Sequence, residues 1–360
     1  MASIPHRTML MMHPLPIARR TPDVKPIAIY HEHPDWFRPL LTELARRGLP
    51  TVAVDPRACR YDPAEVTPPY SLFFNRMSPS AYLRGGIQGT FFTQGYLAHL
   101  ERLGVPVVNG SRGYDIELSK AKQLTLLEQL GLGYPKAIVV NHTSQVLAAA
   151  AYLRFPVVVK ANIGGSGAGI VKYDTPAVLA AAVHANAIDF GIDHTALVQE
   201  YVPARGGTIC RVEVLGGKVL YAIEIEITGD TFNLCPADIC QRSDGVELVR
   251  SACPVDAPKT GLKVKGITPT PDVVIACERI MRAAGIDVGG IESMIDDRDG
   301  TRVYYDINAL SNFVADAVNV VGFDPFAKLV DYLETRMVGA PSTEANDATV
   351  SHLADWDAAI

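Results

Sequence analysis

Residues 209–227, ICRVEVLGGKVLYAIEIEI, carry two alternating runs that meet at Gly216-Gly217. A period of two sends successive side chains to opposite faces of a strand. Two glycines between such runs supply the positive φ angles of a tight turn, so the stretch reads as a β-hairpin. No crossover helix separates these strands, and the sheet they begin is therefore antiparallel.

The front of the chain is built differently. PIAIY (26–30) reads as a buried strand, followed at helical spacing by Phe37, Leu40, Leu41, Leu44 and Ala45, with Gly48 where a helix would stop. TVAVD (51–55) is the next strand, and GVPVVN (104–109) repeats the pattern after a helix carrying Leu97, Leu100 and Leu103. This β-α-β start predicts a small doubly wound α/β domain. A helix from Ser119 through Leu124, Leu127 and Leu130 to Gly131 comes next, then a strand in YPKAIVV, a helix near 144–154 and the strand PVVVK. Thr175-Pro176 caps a further helix, with threonine as N-cap and proline at its first position. ALVQEYV (196–202) is a buried strand. The organisation expected is an arm at 1–24, an α/β domain at 25–115, a small α+β unit at 116–200, an antiparallel part at 201–340 and a tail at 341–360.

With 360 residues, 48% of them hydrophobic, the chain can bury a sizeable core. Its net charge of −6 gives no general basic footprint for nucleic acid. Six scattered cysteines suit a reducing cytoplasm better than a disulfide scaffold. Cys235, Cys240 and Cys253 lie near one another, but no CxxC pair or nearby histidine completes a zinc site, and ordinary thiols are the simpler reading. No apolar run approaches the roughly 20 residues of a membrane span. The opening RTMLMMHPLPIARR is broken by His13, Pro14 and Pro16 and reads as an arm or added strand rather than a signal peptide.

VVVKANIGGSGAGIVKY (157–173) sets a glycine-rich loop between two apolar runs. Clustered glycines let backbone N–H groups approach phosphate oxygens. A P-loop would close on Gly-Lys-Ser/Thr before a helix, and a dinucleotide fingerprint would open a helix. Here the loop joins two strands, which suits a flap covering phosphates; a plain surface hairpin is the alternative. Lys160, ending a strand of three valines, either meets phosphate or snorkels to solvent.

In GGIESMIDDRDGTRVYYDINALSNF (289–313), Arg298-Asp299-Gly300 reads as a three-residue hairpin loop with Gly300 left-handed. Asp297 then faces Thr301, and stepwise pairing brings Glu292 opposite Asp306, with Asn308 on the same face. Opposed carboxylates share a proton or bind a cation. Two carboxylates and an amide oxygen are hard ligands suited to magnesium. A solvated charged hairpin is the alternative, but Met294 and Tyr304, expected on the same face, imply a covered one.

A lysine, a glycine flap and a downstream carboxylate–carboxylate–asparagine set give the chain its likeness to known proteins. It resembles the ATP-grasp superfamily, and within it the RimK-type carboxylate–amine ligases, over roughly residues 25 to 335. The matching pieces are FFNR (73–76), residues 100–140 from LERLGVPVVN to YPKAIVV, VVVKANIGGSGAGI, VQEYVPARGGTICRVEVLGGKVL (198–220), GIESM with YYDIN, and VGFDPFAKLVDYLE (321–334). The resemblance implies an ATP-grasp fold: a pre-ATP-grasp α/β domain, a central lid and a C-terminal antiparallel α+β subdomain. It implies that Lys120 and Lys160 contact the α- and β-phosphates of ATP, and that Gly164, Gly165, Ser166 and Gly167 form the flap. Gln199, Glu200, Tyr201 and Val202 correspond to the strand that reads adenine, with Glu200 as side-chain partner. Arg211 corresponds to the arginine facing the transferred phosphoryl group, and Glu292, Asp306 and Asn308 to the ligands of Mg2+, with Mn2+ an alternative. Arg76 matches an arginine of the first domain that lies on the acceptor side, and Arg211 with Ser311 and Asn312 of the loop 310–313 would contact the substrate.

The chain departs from that pattern in three places. Ala204 and Ile209 stand where relatives often carry acidic residues, the metal strand reads Asp-Ile-Asn rather than Glu-x-Asn, and ALSNF replaces a Ser-Pro-Gly turn. The implied activity is ATP-dependent joining of a small-molecule or peptide carboxylate to an amine or amino acid through an acyl phosphate. An ATP-grasp kinase or carboxylase and a non-catalytic nucleotide-binding protein are the alternatives. No nucleic-acid or membrane partner is expected, and a homo-oligomer remains open.

Overall fold

The computed structural model describes residues 25–164, 169–227, 263–314 and 316–337, with two short strands at Ile239–Gln241 and Glu247–Val249. The expected arm and tail, the flap residues Gly165, Ser166 and Gly167, Cys235, Cys253 and the side chain of Cys240 lie outside the described residues.

Strands β1 (Ile27–Tyr30), β2 (Thr51–Val54), β3 (Leu72–Asn75) and β4 (Val107–Val108) form a parallel sheet in the order β2-β1-β3-β4. Every residue of β1 and β3 is buried, as parallel strands covered on both faces require. Ala28, Tyr30 and Phe73 pack on α2 (Ile87–Arg102) through Tyr96, Leu97 and Leu100. Ile27, Ile29, Leu72 and Phe74 face the other way, toward Leu40 and Leu44 of α1 (Arg38–Arg46). Gly48 closes the turn after α1 at φ 67°.

After α3 (Ser111–Glu117), Ser119 accepts the Lys122 N–H and caps α4 (Lys120–Gln129). A second sheet follows, antiparallel, in the order β5-β8-β6-β7: β5 (Ala137–Val140), β6 (Val157–Ala161), β7 (Ile170–Tyr173) and β8 (Ala196–Glu200). The glycine loop does join two paired strands, with Lys160 opposite Ile170. Val157, Val159 and Val198 pack on Val146 of α5 (Thr143–Ala150) and Leu179 of α6 (Pro176–His184). Thr175 accepts the Val178 N–H and Pro176 occupies the first turn of α6, as the sequence predicts. Alternation turns Val158, Lys160, Leu197 and Gln199 to the opposite face of this lid sheet.

The third sheet is antiparallel too, ordered β13-β10-β9-β14-β15. Its strands are β9 (Thr208–Leu215), β10 (Lys218–Glu226), β13 (Val264–Ile267), β14 (Val288–Ile295) and β15 (Arg302–Asn308), with β11 (Ile239–Gln241) and β12 (Glu247–Val249) paired apart. Gly216 and Gly217 take φ 58° and 78°, closing the expected hairpin. Val212, Val214, Ile291 and Ile307 pack on α4 and on α7 (Pro271–Ala284). The other face meets α9 (Pro325–Arg336), which follows the short α8 (Ala317–Val321), and the Ile27–Ile29 face of the first sheet. That second face also carries the charged residues.

Candidate active site

Glu292 lies at the centre of the charged face. It is opposite Arg211 of β9 on one side and Asp306 of β15 on the other. The pairing with Asp306 is the one expected, but the hairpin reaches it by another route. The Asp296 N–H donates to Thr301 O at 2.8 Å, so residues 297–300 form the loop, one residue more than expected. Asp296 Oδ1 accepts the Arg298 N–H at 2.9 Å, and Gly300 is left-handed at φ 82°. This slips the register by one, placing Ser293 opposite Tyr304; an irregularity at Tyr305 then restores Glu292 opposite Asp306. One expectation falls as a result. Tyr304 packs with Ile291 and Ile307 on the helix-covered face, not beside Glu292. Tyr305 takes that place: burial and then the Glu292 carboxylate push its phenol well above the usual value.

Each carboxylate of the pair is held by a cation. Lys120 Nζ donates to Asp306 Oδ1 at 2.9 Å, and Arg211 Nη1 to Glu292 Oε1 at 2.8 Å. Arg211 Nε also donates to Glu213 Oε1 at 2.7 Å, and Glu213 is fully buried. Burial keeps Glu292 above the usual carboxylate range despite Arg211. Burial alone would raise Asp306 too, but Lys120 beside it holds it below that range. Gly290 makes room for the arrangement, since a Cβ there would sit 2.6 Å from Arg211 Nη2 and 2.9 Å from Glu213 Oε1.

These residues fit Mg2+. Glu292 and Asp306 converge, the Asn308 side chain lies beside Asp306, and its buried amide nitrogen meets no well-formed hydrogen-bond acceptor. Among the described residues no three His, Cys, Asp or Glu gather as a metal site, so a cation held here would depend on the two carboxylates and an amide.

Lys160 does not snorkel. It is 6% exposed, and burial, with Lys120 nearby, pulls its pKa down to about 7. It makes no hydrogen bond or ion pair with another described residue. Asn162, two residues on, accepts the Ala121 N–H through Oδ1 at 2.9 Å and the Lys120 N–H through its carbonyl at 3.3 Å. The segment bearing Lys160 and the helix bearing Lys120 are thus joined where Gly164 begins the flap.

At the end of β8, the Gln199 side-chain oxygen is buried without a partner. The Tyr201 N–H bonds Pro156 O at 2.9 Å, and Lys172 Nζ lies 4.7 Å from the Tyr201 ring centroid. Val202 continues the chain out of the ladder. The Glu200 carboxylate, expected at adenine, accepts the Arg154 N–H at 3.1 Å and pairs with Arg298 at 3.4 Å, bracing the lid strand against the hairpin loop. Ile209 is a core residue and Ala204 bridges to Asp296, so neither offers an acid to a ribose.

On the opposite side, the Arg76 guanidinium sits 5.2 Å from the Phe37 and 5.0 Å from the Phe74 ring centroid. It donates to Asn312 Oδ1 at 2.8 Å and to the Ser311 carbonyl, while Arg211 Nη2 reaches Ser311 Oγ at 3.4 Å. Arg76, Arg211, Ser311, Asn312, Glu292, Asp306 and Lys120 therefore gather on one face, with Lys160 at its edge. The sequence reading missed Glu213, Tyr305, Glu117, whose carboxylate accepts the Ala309 N–H, and the amides Asn109 and Gln123, which bond the backbone of and around β14 and β15. The one signal for Gln123 was an amide among the leucines of α4.

A model of the RimK-like ATP-grasp domain matches residues 118–233. A probable alpha-L-glutamate ligase of Teredinibacter turnerae is 30% identical over 217 residues, 58% of this chain and 67% of the relative. The chain belongs to the RimK-like ATP-grasp family. Another member, a probable alpha-L-glutamate ligase of Enterobacter sp., is 27% identical over 287 residues, 74% of this chain and 93% of its own. The fold matches the ATP-grasp ligase PsnB, solved with a phosphomimetic variant of its minimal precursor, Mg and ADP. The TM-score is 0.60 at 17% identity, covering 87% of this chain and 99% of that one. This RimK-like protein is an ATP-dependent carboxylate–amine ligase, and the family works with ATP and Mg2+. Among its described residues no helix is long and apolar enough to cross a membrane.

Proposed function

We propose that the enzyme activates a carboxylate as an acyl phosphate and passes the acyl group to an amine. The observation that carries this reading is the opposed Glu292–Asp306 pair set between Lys120 and Arg211. A substrate carboxylate oxygen attacks the γ-phosphorus, the bond to the β-phosphate oxygen breaks and ADP leaves. The amine nitrogen then attacks the acyl carbon, phosphate departs with the former carboxylate oxygen, and the nitrogen loses a proton.

Glu292, Asp306 and Asn308 would hold Mg2+, or Mn2+ in its place, which when bound neutralises charge on the terminal phosphates. Lys160 and Lys120 meet the α- and β-phosphates; Lys160, with its pKa near 7, takes up a proton as the anion arrives. Gly164 with Gly165, Ser166 and Gly167 covers the phosphates and excludes water. Gln199 to Val202 line the adenine. Arg211, fixed by Glu213, steadies the acyl phosphate, and Arg76 with Ser311 and Asn312 borders the carboxylate and amine. The relatives' names make glutamate the first amine to try, but the ALSNF loop argues against assuming it. An ADP-release screen over paired acids and amino acids, with mass spectrometry of products, identifies the substrates; ADP release with no amide from any pair would contradict the reading.

The metal assignment has its own test. Mg2+ with ATP is expected to raise the melting temperature more than ATP with a chelator, and Asp306→Asn to shrink that Mg-dependent increment. An undiminished increment in Asp306→Asn removes Asp306 from the metal site.

A further inference from the structure

Among the described residues β15, which bears Asp306 and Asn308, is the last strand of its sheet, with no strand paired beyond its outer edge. An edge strand exposes alternate N–H and C=O groups that a neighbour would otherwise bond. For Ile307, the residue between the two ligands, both groups are taken by one side chain. Gln123 Nε2 donates to Ile307 O at 3.0 Å, and Gln123 Oε1 accepts the Ile307 N–H at 3.1 Å. The side-chain amide thus acts as the missing peptide unit. Gln123 is 3% exposed, and its Nε2 also donates to Ile116 O at 3.1 Å, so its own position is fixed.

Gln123 lies one helical turn after Lys120, on the same side of α4, and Lys120 bonds Asp306. The N-terminus of α4 is in turn bonded by Asn162, next to the flap. One helix therefore joins the base of the flap to the strand presenting Asp306 and Asn308. We propose that Gln123 is a positioning residue for the metal: by bonding both backbone groups of Ile307 it fixes the rotation of β15, so that Asp306 and Asn308 face the nucleotide's cation together. This rests on the assignment of Asp306 and Asn308 above.

The test is ADP binding to the full chain by calorimetry, with EDTA and across a Mg2+ titration. Gln123→Met, similar in shape but without either bond, is expected to keep its ADP affinity in EDTA within about twofold. It should need about tenfold more Mg2+ for half of the metal-linked gain, the lower end of what residues supporting metal ligands contribute. Gln123→Glu, a second variant in case methionine impairs folding, keeps the acceptor for the Ile307 N–H and loses the donor to its carbonyl. A nearby added carboxylate would by its field alone strengthen cation binding, yet the positioning role predicts a weaker Mg2+ response. An unchanged or stronger Mg2+ response in either folded variant overturns the proposal. Asp306→Asn in parallel tells the failures apart: if it too keeps the full Mg2+ response, the metal site itself is misplaced, and if it loses it, only the role of Gln123 falls.

Discussion

Arg211→Ala is expected to lower unfolding stability by about 3–5 kcal/mol, the usual cost of leaving a buried charge without its partner. Its side chain is 4% exposed and joins Glu213, at 0%, to Glu292, at 10%. Removing the guanidinium strands two carboxylates, one without access to water, and Glu292 is already pushed toward its protonated form by burial. Replacing both members of a buried pair with apolar groups is often neutral or better. Arg211→Met with Glu213→Leu should therefore recover much of the stability lost in Arg211→Met alone, while turnover stays down if, as proposed above, this charge faces the phosphoryl group. Urea unfolding measures the first effect and ADP release the second. A loss below about 1 kcal/mol for Arg211→Ala would place this triad in the class of weak, solvent-screened pairs.

Lys160→Met is expected to act in the opposite direction on the free protein. Burial lowers the lysine pKa from 10.5 to about 7. Below about pH 7 the folded protein carries a charged, desolvated ammonium, and the full penalty is present. Between about 7 and 10.5 the unfolded chain binds more protons than the folded one, so this group's contribution to stability rises with pH, and above 10.5 the penalty is gone. Lys160→Met should thus stabilise the free enzyme most at pH 6 and least at pH 10. Nucleotide binding should change the other way, weakening about tenfold or more as a charge-assisted contact is lost. At pH 8 the parent should take up about one proton per ATP bound, read from calorimetry in buffers of different ionisation enthalpy. Lys160→Met should not. Equal proton uptake in both would show that Lys160 does not meet the phosphates.

What the sequence revealed, and what it hid, follows from the range of the interactions. The hairpin at Gly216-Gly217 and the cap at Thr175-Pro176 are local, and period and turn chemistry suffice for both. The facing of Glu292 and Asp306 was legible too, though partly by cancellation. The loop is one residue longer than its composition suggests, and Tyr305 absorbs the slip, so the ends of the reading agree while Tyr304 lies on the wrong face between them. A bulge leaves no mark in a run such as RVYYDIN, where every residue suits a strand. The bonds made by Gln123 and Asn109 were not legible for a different reason. Their partners are backbone groups 184 and 179 residues away, and any residue there offers the same N–H and C=O. The partners of the Glu200 carboxylate, Arg154 and Arg298, were hidden as well, because only the folded chain brings them to it.

The central claim, passage through an acyl phosphate to an amide, is tested most directly by following the carboxylate oxygen. With oxygen-18 in the carboxylate of the acid substrate identified by the screen, turnover with ATP and amine should place one labelled oxygen in inorganic phosphate for each amide formed. With acid alone, ADP release should be slow, and hydroxylamine should yield the hydroxamate. A phosphorylated product that retains both labelled oxygens and forms without an amine would contradict the account and make the enzyme a kinase.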